Sequence, residues 1–299
     1  MPQRNLKPIL KWAGGKSQLL EEISRAYPDG FGKTIRRYAE PFVGGGAVLF
    51  DILSKYELDE VYISDVNAEL INMYLVVRDQ AEELINRLTV FQNEYRALDV
   101  DGQKKYYYNK RNDFNALISN GKSKTGIDSA ALFIFLNRTC FNGLYRANKS
   151  GLFNVPKGNL TNPLICNEEN IRLVSTALAK VKIVCGDYSE SKSFIDQHTL
   201  VYLDPPYRPL KGRDSFISYT ETEFDDACQR ALAGFIEEID AMGAYIILSN
   251  SDPKNVDPED DFFENLYADY DLQRINAKRK INRNAEHRGY IKELLIKNY

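Results

Sequence analysis

The chain has 299 residues, 43% of them hydrophobic and 27% charged, enough for one large α/β domain or two smaller ones with a substantial core. No apolar run is long enough to cross a bilayer, and after Gln3, Arg4 and Lys7 the N-terminus lacks the apolar stretch of a signal peptide, so a cytoplasmic protein is expected. Cys140, Cys166, Cys185 and Cys228 form no Cys-x-x-Cys pair, and His198 and His287 sit in no nucleophilic or metal-ligand pattern, which argues against a disulfide framework, a metal site and histidine chemistry.

In chain order, Gln18 to Ala26 carries Leu19, Leu20 and Ile23 on one face and predicts a helix. Arg37 to Pro41 predicts a strand running into the turn Val43-Gly44-Gly45-Gly46. Ala47 to Leu53 then suits a helix, and Glu60 to Ser64 a second strand that ends at Asp65 and Asn67. Together these describe a βαβ unit. Leu84, Leu88, Phe91, Tyr95 and Leu98 recur at helical spacing and predict an amphipathic helix. A tyrosine-rich polar stretch (Lys104 to Arg111), a loop (Asn120 to Gly126) and an apolar helical run (Ala130 to Leu136) follow. Residues 68–160 thus read as a helical domain inserted into an α/β domain made of residues 1–67 and 161–299.

Strand signals return at Val181–Val184, which leads to Asp187, at Thr199–Leu203, which ends at Asp204, and at Ala244–Leu248, which ends at Ser249 and Asn250. A helix from Asp225 to Met242, with Leu232, Phe235, Ile236 and Ile239 as its apolar stripe, lies between the last two. Two more strands are predicted near Leu272–Ile275 and Leu294–Lys297. Several strands place polar residues at their carboxyl ends, where open α/β sheets bind ligands.

Two motifs carry chemistry. Phe42-Val43-Gly44-Gly45-Gly46 is a nucleotide-binding type of turn, and Asp65, at the end of the next strand, can accept hydrogen bonds from ribose hydroxyls. Alone, this pair fits a dinucleotide dehydrogenase nearly as well as any other nucleotide enzyme. Asp204-Pro205-Pro206-Tyr207 is more specific. Its two prolines fix φ at successive positions after a strand, leaving the Asp204 carboxylate and the Pro205 carbonyl as rigid acceptors. Such a pair can hold an exocyclic amine and help localise its lone pair for attack, while Tyr207 offers a flat face for a base.

With Leu10-Lys11-Trp12-Ala13-Gly14-Gly15-Lys16, Glu40-Pro41-Phe42-Val43-Gly44-Gly45-Gly46, Ser64-Asp65-Val66-Asn67, Phe141-Asn142-Gly143-Leu144-Tyr145-Arg146, Phe153-Asn154-Val155-Pro156 and the Asp-Pro-Pro-Tyr tetrapeptide in this order, the chain resembles the Dam-like, D12-class DNA adenine-N6 methyltransferases. The resemblance implies a Rossmann-like S-adenosylmethionine-dependent methyltransferase sheet with an inserted helical target-recognition domain. Trp12, Lys16, Phe42, Gly44, Gly46, Asp65, Asp187 and Asp204 are then expected to bind the cofactor, S-adenosyl-L-methionine, and Asp204, Pro205 and Tyr207 to act on a flipped adenine.

The implied partner is double-stranded DNA, with no metal and no membrane, and with Arg138, Asn142, Arg146, Asn148, Lys149 and Lys157 as candidate contacts. Charge segregation agrees with this. Residues Ser129 to Asn167 include no acid, and Arg279, Lys280, Arg283 and Arg288 add a second basic stretch. A monomeric, nucleoid-associated prokaryotic enzyme is expected, acting alone or beside a genetically linked restriction endonuclease. Ser150 stands where Dam-like enzymes carry a basic residue, so a GATC site is not implied. The alternatives are a DNA cytosine-N4 methyltransferase, an RNA or protein-glutamine methyltransferase, or a non-catalytic DNA-binding regulator.

Overall fold

The computed structural model describes residues 5–119, 125–148, 150–209, 224–278 and 290–299. Seven strands form one sheet: β1 (Arg37–Glu40), β2 (Glu60–Asp65), β3 (Val181–Cys185), β4 (Thr199–Leu203), β5 (Tyr245–Ser251), β6 (Asp271–Lys278) and β7 (Tyr290–Lys297). Their order is β3-β2-β1-β4-β5-β7-β6. β1 to β5 are parallel, while β7 runs antiparallel to both of its neighbours, β5 and β6. The order reverses between β1 and β4, so a crevice opens at the carboxyl ends of those two strands. This is the Rossmann-like sheet that the sequence leads one to expect.

β4 is buried at every residue, as a central parallel strand covered on both faces must be. Alternation along the strands divides the core in two. Tyr38, Ile63, Tyr202 and Ile247 point to one face, where they meet α2 (Ala47–Lys55), α3 (Ala68–Asp79) and α7 (Glu168–Leu178). Ala39, Tyr62, Val201 and Leu248 point to the other and pack on Leu232, Phe235, Ile236 and Ile239 of α8 (Asp226–Asp240).

The stretch read as helical contains α3, α4 (Ala81–Arg96), α5 (Val100–Ser119) and α6 (Ile127–Thr139). α3 starts at Asn67, whose side chain accepts from the Leu70 amide at 2.9 Å and so satisfies one of the helix's free N–H groups. α6 is apolar all round and almost wholly buried, as befits a central helix. Its Phe135 meets Phe91 and Tyr95 of α4 and Tyr106 of α5 edge-on. The side chains of α3 to α6 belong to the same apolar core as the α2-side face of the sheet. The helical periodicity overshoots at Leu98, which lies beyond the cap residue Ala97 and is exposed. No helix of the described residues is long and apolar enough to cross a membrane. Lys149 and the basic stretch at 279–288 lie outside the described residues.

Candidate active site

At the end of β4 the chain enters Asp204-Pro205-Pro206-Tyr207, and the N-terminal motif folds over it. The turn closed by the Gly15 amide on the Trp12 carbonyl at 3.2 Å delivers Lys16 into the crevice, only 3% exposed. Its Nζ lies 2.8 Å from Asp204 Oδ1, donates to the Tyr207 hydroxyl at 3.1 Å, and lies 3.5 Å from Glu293 Oε2. Burial opposes the charge on Lys16, but Asp204 above all, followed by Tyr207, Tyr202 and Glu293, outweighs it and holds the ammonium pKa well above its ordinary value. Ser249, at the end of β5, donates to Asp204 Oδ1 at 2.9 Å and is itself paired with the Tyr202 hydroxyl.

Gln229 of α8 donates to the Pro206 carbonyl at 3.3 Å and accepts from Asn250, which braces the tetrapeptide from behind. Among the described residues nothing donates to the Pro205 carbonyl or to Asp204 Oδ2. The motif therefore leaves these two acceptors without a donor at a rigid strand end, close in sequence to Tyr207, which is 37% exposed.

On the β1 side, the glycine turn is shaped by Trp12. A Cβ on Gly45 would lie 2.7 Å from the Trp12 Cβ, so the glycines admit that side chain. Trp12 also stacks on Tyr145 at 5.8 Å, which joins the N-terminal motif to the Phe141–Arg146 segment. Asp65 accepts from the Gly44 amide at 3.2 Å with one oxygen and from the Asn67 amide at 2.9 Å with the other, and burial pushes its carboxyl pKa up. Phe42 stacks on Tyr188 at 5.4 Å and meets Phe224 edge-on, forming an aromatic wall beside the turn. Asp187 is exposed and caps the 3-10 turn Tyr188–Phe194 through the Ser189 amide at 3.0 Å.

Glu40, at the end of β1, is buried. Its Oε2 accepts from the Tyr38 hydroxyl at 2.7 Å, yet burial pushes its pKa up to about 8. The native state therefore binds this proton more tightly than the unfolded chain does. The associated stability is complete below the unfolded carboxylate value and is lost as pH rises towards 8. Glu40→Gln is isosteric and removes this slope. Between pH 5 and pH 8 the wild type is expected to lose stability relative to the variant by up to about 1.4 kcal/mol per pH unit, read from denaturant midpoints. Parallel pH profiles would contradict this.

The residues proposed for DNA divide sharply. Asn142 is exposed with a left-handed φ of 56°, and its neighbour Phe141, not among the residues expected from the sequence, is 47% exposed. Arg146 is exposed and held by Asn154 Oδ1 at 2.8 Å. Asn148 accepts from the amides of Ser150 and Leu152 and so closes the hairpin turn. Arg138 points inward and donates to the Ile9 carbonyl, while Lys157 turns to the Gly158 carbonyl and the Tyr95 ring. In the structure these two cations serve the protein's own backbone and aromatic packing.

Residues 12–281 match the sequence profile of the D12 class N6 adenine-specific DNA methyltransferases. The chain is 46% identical over 299 residues to the type II methyltransferase M.MjaIII of Methanocaldococcus jannaschii, covering 98% of this chain and 99% of that one. It is 35% identical to the type II methyltransferase M1.LlaDCHI of Lactococcus lactis subsp. cremoris, covering 99% and 96%. To the DNA adenine methylase of Haemophilus influenzae it is 33% identical, covering 98% and 94%. The chain belongs to the D12-class adenine-specific DNA methyltransferases.

For a methyltransferase of this class, several site residues escape a motif search. Glu293 stands in an ordinary-looking strand, and Ser249, Gln229 and Tyr188 act through position. Two carry a signal: Ser249 stands at the polar end of a predicted strand, and Tyr188 directly follows Asp187. The glycine turn of this methyltransferase offers a stability test. Gly46 has φ 72°, and a Cβ there would lie 2.6 Å from the Tyr74 hydroxyl, which donates to the Gly44 carbonyl at 2.9 Å. Gly46→Ala is expected to cost about 1–3 kcal/mol, because the strained φ is joined by displacement of Tyr74. An unchanged thermal midpoint would contradict it.

Proposed function

We propose that the enzyme moves the methyl group of S-adenosylmethionine to N6 of an adenine turned out of duplex DNA, in line and without a covalent enzyme intermediate. The observation that carries this reading is the rigid pair of acceptors, Asp204 and the Pro205 carbonyl, beside an exposed tyrosine ring at the switch point of the sheet. An exocyclic amine has two N–H donors to offer such a pair. Holding it with acceptors set for a tetrahedral nitrogen favours the transition state over the planar ground state. Tyr207 provides the face on which the extruded base stacks, and positioning supplies most of the rate.

The residues of the crevice fit the proposed donor. S-adenosylmethionine supplies an activated methyl group on a cationic sulfonium. Asp65 would take its ribose hydroxyls, the Phe42–Tyr188–Phe224 wall its adenine, and Trp12 with the glycine turn its methionine portion. Lys16, held among Asp204, Tyr207 and Glu293, would meet the donor from that position. A side-chain set dominated by carboxylates and aromatics suits a cationic nucleoside without phosphates better than a dinucleotide.

Residues 68–160 would form the target-recognition part. Phe141, Asn142 and Arg146 project from it, with Trp12 and Tyr145 linking it to the donor side. An exposed aromatic ring and an exposed cation on one short segment suit the gap that an extruded base leaves and a phosphate of the duplex. Sequence-specific modification of the restriction-modification or Dam-like type follows from this reading.

Modification-sensitive sequencing of plasmid DNA from a methylation-deficient host that expresses the protein tests the proposal. N6-methyladenine at one short recurring sequence is expected; methylated cytosine, or no modified base, would overturn it.

A further inference from the structure

β7 runs against its neighbours, so its first half lies beside the carboxyl ends of the parallel strands. There Glu293 pairs in register with Ser251 of β5 and Ile275 of β6, and its side chain is only 10% exposed. Oε1 accepts from the Tyr207 hydroxyl at 3.1 Å, and Oε2 lies 3.5 Å from Lys16 Nζ. The same ammonium lies 2.8 Å from Asp204. One buried ammonium therefore faces two carboxylates, and with both ionised the cluster carries an excess of one negative charge. Asp204 and Lys16 alone would cancel.

The distinction matters because the proposed reaction moves positive charge. The adenine N6 lone pair forms the new nitrogen–carbon bond while the carbon–sulfur bond breaks and leaves its electron pair on sulfur. The positive charge passes from sulfur to N6, and N6 then sheds one proton to Asp204, whose 21%-exposed side chain returns it to solvent. In this largely buried cluster, excess carboxylate charge stabilises the positive charge on the nitrogen as it develops.

We infer that Glu293 is a positioning residue of methyl transfer. By sharing Lys16 with Asp204 and holding the Tyr207 hydroxyl, it keeps Asp204 electrostatically available to the adenine amine. The inference rests on the function proposed above and adds a second carboxylate to its site. The hydrogen bond from Tyr207 also fixes the ring on which the base would stack, so a single residue sets both the charge of the site and the plane of the substrate. Burial, with Asp204 nearby, holds the Glu293 pKa above its ordinary value, and Lys16 and the Tyr207 hydrogen bond offset only part of that rise, so the anion depends on the same ammonium that it restrains.

Glu293→Gln keeps the size of the side chain and an oxygen for the Tyr207 hydroxyl, and removes only the charge. Two quantities decide the matter: the single-turnover transfer rate on duplex DNA, and the ratio of equilibrium affinities for S-adenosylmethionine and its neutral thioether product, measured by calorimetry. The variant is expected to transfer at least about tenfold more slowly. Its preference for the sulfonium is expected to fall by about threefold or more, with thioether affinity and thermal midpoint retained. Glu293→Asp is expected to restore most of both. A wild-type rate in Glu293→Gln overturns the inference. So does a slow variant whose sulfonium preference is unchanged, or one that loses both ligands together with its stability. A wild-type protein that transfers no methyl group would instead overturn the function on which the inference rests.

Discussion

Purified Asp204→Ala protein is expected to transfer methyl groups at least about a thousandfold more slowly than wild type, while keeping its fold and most of its affinity for DNA. Asp204 sits at the end of a fully buried strand, braced by Ser249 at 2.9 Å and Lys16 at 2.8 Å, so its carboxylate is placed before any substrate arrives. Truncation leaves the Pro205 carbonyl as the single acceptor for an amine that needs two. It also leaves Lys16 with Glu293 alone, a pair whose charges cancel, so the site no longer offers excess negative charge where the reaction develops positive charge. Asp204→Asn separates the effects, since it keeps the shape and an acceptor oxygen but loses the charge; it should remain nearly as slow if charge dominates. Circular dichroism and DNA titration accompany the single-turnover measurement. Near wild-type transfer by the alanine variant would remove the catalytic role of the tetrapeptide.

Lys16→Met is the second substitution with a large effect, this time on stability as well as activity. Lys16 is 3% exposed and is the cation shared by two largely buried carboxylates, Asp204 and Glu293. Removing one member of a buried ionic group leaves uncompensated charge and costs about 3–5 kcal/mol. The sign with pH follows from the pKa directions. Burial already raises Glu293, Lys16 lowers it, and without Lys16 its native-state pKa climbs further above the unfolded value. The variant can relieve the penalty by protonating a carboxylate at low pH, so its deficit is small near pH 5 and grows towards pH 8. Denaturant titrations at both values check this. An equal deficit at the two pH values would show that packing, rather than charge, sets the cost.

Much of the scaffold is legible in the sequence because the parallel strands are short, apolar and punctuated by polar ends. The βαβ unit from Arg37 to Asp65 and the strand into Asp204 lie where the hydrophobic runs place them. The tetrapeptide is legible for a local reason: two prolines after a buried strand dictate its geometry whatever surrounds it. What cannot be read locally is who meets it. Lys16 belongs to a glycine-rich turn and could face solvent; only the packing of Trp12 on Gly44 and Gly45 aims it at Asp204.

Glu293 falls just before the strand predicted near Leu294–Lys297 and looks like an ordinary polar position; it joins the cluster because β7 (Tyr290–Lys297) inserts antiparallel between β5 and β6. Charge counting has the opposite weakness. Arg138 and Lys157 raise the basic content of their stretch, but the end of α6 turns one to the N-terminal backbone and packing turns the other to Tyr95. Composition records how many cations a segment has. It does not record where they point.

The central claim is that Asp204 and the Pro205 carbonyl hold an adenine amine for direct methyl transfer. Its most direct test is to incubate purified protein and duplex DNA with S-adenosylmethionine labelled in the methyl group, digest the DNA to nucleosides and locate the label. Label is expected in N6-methyldeoxyadenosine with wild-type protein, with a near-complete loss of it in Asp204→Ala. Label in N4-methyldeoxycytidine, or undiminished label with the variant, would contradict it.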